Sequence, residues 1–79
     1  MAIYIVIRKS DEGADFADYR FGLTEDACGR FRIAKKTGEL TLLEPAPNDE
    51  RNMLYFRAAA KVKQHWEEGG LPDQLCWAS

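Results

Sequence analysis

The chain is poor in the residues that build metal sites and disulfide frameworks. It has 2 cysteines and 1 histidine among its 79 residues, and Cys28 and Cys76 lie far apart. A structural zinc site uses four ligands and usually a close pair such as Cys-x-x-Cys, so the sequence predicts no metal site. A thiol–imidazole nucleophile would need a cysteine beside His65 in space, and no motif places them together. We therefore expect no cofactor and no enzyme activity.

Long hydrophobic runs and a secretion signal are missing as well. No apolar stretch approaches the ~20 residues that a membrane helix needs, and the N-terminus has neither the basic region nor the cleavage site of a signal peptide. We therefore expect a cytoplasmic protein that does not associate with membranes. Thiols stay reduced in that compartment, which predicts that both cysteines are free. A disulfide between Cys28 and Cys76 is the alternative.

The chain has no excess of charge of one sign. It carries 11 Lys and Arg against 13 Asp and Glu, for a net charge of −2. A domain that binds nucleic acid of any sequence is usually basic, so nucleic acid is not the expected partner. Five acids fall in predicted turns and are expected to be solvated: Asp11, Glu12, Asp15, Glu25 and Asp26.

The first 44 residues alternate like β-strands. Four segments, 3–8, 16–23, 30–35 and 40–43, alternate in hydrophobicity and are separated by polar or glycine-containing turns. Gly38 supplies the positive φ that a type I turn with a bulge requires. Pro45 ends the fourth strand, because proline cannot donate to a ladder. The short turns indicate a four-stranded antiparallel β-meander.

Residues 48–66 carry the only long pattern with a helical period. One apolar stripe contains Leu54, Tyr55, Ala58, Ala59, Val62, His65 and Trp66. Asn48 or Asp49 is predicted to cap this helix, and Gly69-Gly70 to end it. The tail, 71–77, holds three large apolar residues and is predicted to dock on the domain. Residues 1–79 thus predict a single small α+β domain: four strands, one long helix packed on one face, and a docked tail.

One helix covers one face of a sheet, so the other face is the first candidate functional surface. By the two-residue period of strands, eight residues share it: Tyr4, Val6, Arg8, Phe16, Arg20, Arg30, Arg32 and Leu43. Monomers seldom expose large apolar patches, so the apolar members predict burial by a second copy or by another protein. The four arginines and two rings are typical of a site for an anionic small molecule or single-stranded nucleic acid. Pairing of Asp18 and neighbouring acids with the arginines is the alternative that needs no ligand.

Met53 and Phe56 form a second, smaller candidate patch on the helix. Both lie away from the apolar stripe by helical-wheel counting. They could anchor a partner, or the returning tail could cover them, and the tail could itself be a linear motif for another protein. Together these patterns favour a small non-catalytic interaction protein that acts through the uncovered sheet face, as a homodimer or as a subunit of a larger complex. The alternative is a binding module for an anionic ligand at the arginines.

Overall fold

The computed structural model describes residues 3–78, which form one five-stranded antiparallel sheet with one helix packed on it. The elements are the strands β1 (Tyr4–Glu12), β2 (Phe16–Thr24), β3 (Ala27–Ala34), β4 (Leu40–Glu44) and β5 (Gln74–Ala78), with helix α1 (Met53–Glu67) between β4 and β5. Their spatial order is β4-β3-β2-β1-β5. The α+β class, the meander of the first four strands and the packed helix are confirmed.

The tail docks as a strand. β5 pairs antiparallel with β1, the first strand of the chain, and places Cys76 opposite Val6. Two hydrogen bonds fix the segment just before this strand. The Tyr19 hydroxyl donates to the Pro72 carbonyl at 2.8 Å, and Lys9 Nζ donates to the Leu71 carbonyl at 2.8 Å. The sequence predicted docking, but the fifth strand itself is a finding of the structure.

Two strands extend further into the turns than hydrophobicity predicts. β1 continues to Glu12, through a register shift between Lys9 and Asp11. β3 begins at Ala27, because residues 25–26 form a tight turn. Backbone pairing does not require apolar side chains, so polar residues prolong a ladder without any alternation in hydrophobicity.

The helix begins later than its sequence pattern predicts. Arg51 and Asn52 have φ values of 61° and 56°, and an α-helix cannot propagate through left-handed residues. A short 3-10 turn (Glu50–Asn52) therefore precedes α1. Asp49 still caps the helix, since its carboxylate accepts hydrogen bonds from the N–H groups of Leu54 at 2.9 Å and Tyr55 at 3.2 Å.

The core lies between α1 and the inner face of the sheet. Its buried apolar side chains are Ile5, Ile7, Ala17, Tyr19, Phe21, Phe31, Ile33, Ala46, Ala58, Ala59 and Val62. The Tyr55 ring packs on Phe21 and Phe31 with centroid distances of 6.0 and 5.8 Å. The Trp66 indole N–H donates to the Lys35 carbonyl at 2.8 Å. The helix therefore crosses the sheet in contact with β1, β2, β3 and β5, and its predicted apolar stripe is the packed one.

Candidate interaction face

The outer face of the sheet, defined as the face away from α1, carries the predicted row of arginines. The strand register places Arg8 opposite Arg20 and Arg20 opposite Arg30, so three guanidinium groups form one row across β1, β2 and β3. Arg32 is opposite Asp18 in the neighbouring row. The alternation of side chains along a strand therefore predicted correctly that these arginines share one face of the sheet.

Arg32 is engaged within the chain. Its Nε donates to Asp18 Oδ1 at 2.7 Å and its Nη2 to Asp18 Oδ2 at 3.1 Å. The hydrogen bond to Asp18 raises the pKa of Arg32. The same guanidinium lies 4.2 Å from the centroid of the Phe16 ring, an arrangement typical of a cation–π contact. Phe16 is half-buried, so Arg32 removes part of the predicted apolar surface.

The turn between β2 and β3 neutralises Arg8. Glu25 Oε1 lies 2.8 Å from Arg8 Nη2, and Arg20 Nη2 donates to the Glu25 carbonyl at 3.2 Å. Glu25 lies in the turn and stays exposed, as expected, and it also forms an ion pair with Arg8 that the sequence did not predict. The cavity beside this contact measures about 120 Å³ and is lined by Val6, Arg8, Arg20, Glu25 and Cys28. Cofactor pockets are generally several hundred Å³, so this space suits only a small group.

Of the four arginines on the outer face, Arg30 is the one without a partner within residues 3–78. Among residues 3–78, no hydrogen bond or ion pair involves its side chain. It is opposite Arg20 on one side and Glu44 on the other. Like charges placed directly opposite each other are unfavourable, so this position would gain from an external acceptor.

The apolar part of the outer face lies mainly at the β1–β5 side. Tyr4 is 57% exposed, and Leu43, on the far strand β4, is 39% exposed. Val6 is half-buried and Cys76 is exposed. Interaction with the neighbouring Cys76 thiol raises the pKa of the Tyr4 hydroxyl. The outer face thus combines four arginines, of which Arg8 and Arg32 pair with acids of the same chain, with an open apolar end.

Cys28, Cys76 and His65 are the side chains that a thiol–imidazole or zinc site would use. The ladder separates Cys28 and Cys76 by three strand spacings, about 14 Å, which is too far for a disulfide. No hydrogen bond in that part of the chain joins His65 to either thiol. No group of three or more His, Cys, Asp or Glu side chains there could hold a metal ion.

The helix patch remains open. Met53 is 47% exposed and Phe56 is 60% exposed. The alternative that the returning tail covers them is wrong, because the tail pairs with β1 as β5 and both side chains stay exposed. The Phe56 ring contacts Tyr55 at a centroid distance of 5.4 Å, so part of one ring face is packed.

Comparison with models of protein families, with curated proteins and with solved structures gives no match for this chain. Within residues 3–78, no helix has the length and apolar character to cross a membrane.

Proposed function

We propose that this is a non-catalytic cytoplasmic interaction protein that binds a protein partner through the outer face of its sheet, as a homodimer or as a subunit of a larger complex. One observation carries the proposal: a single helix covers the inner face of the five-stranded sheet, and no other described element covers the outer face. Tyr4 and Leu43 remain exposed there.

The electrostatics of the outer face support a protein partner rather than a polyanion. Glu25 neutralises Arg8, and Asp18 neutralises Arg32. The affinity for a polyanion comes from basic side chains that displace its counterions. Two of the four arginines on this face already pair with acids of the same chain, which leaves fewer of them for this role. Tyrosine and arginine beside apolar groups are instead enriched in protein interfaces.

A charge-insertion experiment tests the proposal. The double variant Tyr4→Glu/Val6→Glu places two carboxylates in the apolar end of the outer face, whereas Met53→Glu/Phe56→Glu places two on the helix. If the outer face forms an interface of about 1,000 Å² or more, the two carboxylates of Tyr4→Glu/Val6→Glu should disrupt it. We expect the outer-face variant to lose association in sedimentation equilibrium and in pull-down with an identified partner. The helix variant should keep it, and helical circular dichroism should persist in both.

Three results would count against this function. A parent protein that sediments as a monomer at high micromolar concentration rules out the homodimer. If every partner identified by pull-down is also retained by the Tyr4→Glu/Val6→Glu variant, the outer face is not the binding surface. Loss with Met53→Glu/Phe56→Glu alone would assign binding to the helix patch.

A second candidate function, binding of an anionic small molecule or nucleic acid, is favoured by the position of Arg30. It is opposite Arg20 and lacks a partner within residues 3–78. Titration with ATP and with an oligothymidylate at low salt tests this function. Binding should weaken linearly on a log–log salt plot and should fall with Arg30→Ala but not with Arg51→Ala, an exposed arginine on another surface. Equal binding by both variants contradicts it.

A further inference from the structure

The strand β5 leaves one edge of the sheet open. It is the last strand in the order β4-β3-β2-β1-β5. The Lys9 N–H donates to the Asp73 carbonyl at 2.8 Å, and the ladder register makes these two residues opposite each other. Hydrogen-bonded and non-hydrogen-bonded pairs alternate along an antiparallel ladder. Leu75 and Trp77 therefore direct their backbone groups towards β1, and three residues direct theirs outward: Gln74, Cys76 and Ala78.

These outward backbone groups are available for pairing. The alternation leaves the N–H and C=O groups of Gln74, Cys76 and Ala78 outside the β1–β5 ladder, and within residues 3–78 no hydrogen bond of a turn, loop or side chain involves them. Proteins usually protect an edge strand with charges, proline or a bulge, and β5 (QLCWA) contains none of these. The opposite edge, β4, has a register shift in its pairing with β3, and Pro45 follows it. The β5 edge is thus the less protected of the two.

The helix side of this edge is basic. The Arg57 guanidinium lies 4.9 Å from the centroid of the Trp77 ring. Lys61 and His65 line a groove of about 410 Å³ along β5, together with Tyr4, Gln74, Leu75 and Cys76. The nearest acid along the chain, Asp73, lies 3.3 Å from Lys9 Nζ. A strand added to β5 would therefore meet an apolar floor and a cationic wall on the side of α1.

We propose that β5 binds an extended acidic segment of a partner protein, which adds to the sheet as a further antiparallel strand. Its backbone would pair with Gln74, Cys76 and Ala78. Carboxylates at alternate positions would face Arg57 and Lys61. A second copy of β5 would present Leu75 and Trp77 on that side and would bring no carboxylate to Arg57 or Lys61, so charge complementarity favours the acidic partner. This edge adjoins the outer face, since Tyr4 and Cys76 border both, but it would bind through the backbone of β5, so the inference can hold if the outer-face proposal fails.

A pair of synthetic peptides tests the chemistry. The first is an extended blocked peptide of about eight residues in which Glu alternates with Val or Thr, and the second has Gln in place of every Glu. We expect the Glu peptide to bind more tightly and to lose this advantage as salt rises, since exposed charge interactions are screened. Amide hydrogen exchange should slow at Gln74, Cys76 and Ala78.

A matched pair of variants locates the contact. Cys76→Pro removes an outward N–H without removing a hydrogen bond to β1, and Cys76→Ser removes the thiol but keeps the N–H. We expect the Glu peptide to bind Cys76→Pro about tenfold or more weakly than Cys76→Ser. Gln74→Pro provides the same comparison if Cys76→Pro does not fold. Lys61→Ala should weaken the Glu peptide about twofold to fivefold and leave the Gln peptide unchanged.

Four outcomes would overturn the inference. Equal binding by the proline and serine variants would show that the edge is not used. Equal affinity for the two peptides would show that carboxylates of the partner are not recognised. No measurable binding of the Glu peptide at millimolar concentration would show that β5 does not accept an added strand. Self-association of the parent that Cys76→Pro abolishes would identify a second copy as the occupant.

Discussion

Arg32 holds the carboxylate of Asp18 through two hydrogen bonds of 2.7 and 3.1 Å on the face of the sheet opposite the helix. The two partners are unequally covered, since the side chain of Asp18 is 5% exposed and that of Arg32 is 44% exposed. A buried carboxylate needs a partner, so Arg32 serves the fold as well as the surface. A protein that binds the outer face would meet this arginine already oriented.

Removing Arg32 should therefore destabilise the protein through Asp18. Arg32→Ala leaves a buried carboxylate without its charge-assisted hydrogen bonds, and we expect a cost of about 1.5–3 kcal/mol in the free energy of unfolding. The double variant Asp18→Asn/Arg32→Ala should cost clearly less than the sum of the two single changes. Urea unfolding of the three variants measures this coupling, and additive costs would contradict it.

Trp66 should anchor the end of the helix through both packing and polarity. Its ring packs on the core and its indole N–H bonds the Lys35 carbonyl at 2.8 Å. Because the residue is only half-buried, we expect Trp66→Ala to cost about 3 kcal/mol, at the low end for a core tryptophan. Trp66→Phe keeps most of the packing and should cost about 1 kcal/mol for the lost hydrogen bond. Thermal or urea unfolding distinguishes the two effects. Equal costs for the two variants would show that packing of a ring at position 66 does not stabilise the protein.

Two glycines with positive φ offer a comparison of steric environments. A Cβ at Gly38 (φ +75°) would lie 2.6 Å from the Trp66 ring, whereas one at Gly69 (φ +92°) would meet no atom within 4 Å. Gly69→Ala should cost about 1 kcal/mol for the backbone conformation alone. Gly38→Ala adds displacement of the tryptophan and should cost about 2–4 kcal/mol. Similar melting temperatures for the two variants would mean that the ring moves aside freely.

The Glu12 carboxylate should contribute to the pH dependence of stability. It lies 2.7 Å from Lys35 Nζ and 3.0 Å from Lys9 Nζ, and hydrogen bonds from Lys35 and then Lys9 lower the pKa of Glu12. A carboxylate with a folded-state pKa below its unfolded value stabilises the protein above the unfolded pKa, and this contribution is lost as the pH falls through the folded one. Glu12→Gln should therefore melt below the parent at about pH 7, and the difference should shrink towards about pH 3. A constant difference across this range would contradict the ion-pair role.

The two thiols should be free and should differ in reactivity. Cys76 is exposed, whereas Cys28 is half-buried and donates to the Thr24 carbonyl at 3.0 Å. We expect a maleimide to modify Cys76 faster in the native protein and to modify both cysteines after unfolding. Mass spectrometry of protein prepared without reductant measures both rates. Recovery of an intramolecular disulfide would contradict the separation of the two cysteines across the sheet.

Local sequence was sufficient for the features that depend on neighbouring residues. Gly38 at the hairpin and Gly69 after the helix took their predicted positions, because turn and cap preferences act over a few residues. Asp49 caps the helix with its side chain, as predicted, although the N-cap position itself is Asn52. The alternation of side chains likewise assigned the arginines to one face, since the period of a strand is two.

The tertiary structure decided the features that depend on distant parts of the chain. The pairing of β5 with β1 joins residues about 70 positions apart, and backbone hydrogen bonds between such segments leave no periodic trace in sequence. The contact between Arg8 and Glu25 depends on where the β2–β3 turn falls over β1. The late start of α1 follows from the left-handed residues Arg51 and Asn52. Which cations are neutralised and which edge is open were therefore set by non-local packing, which no local pattern could specify.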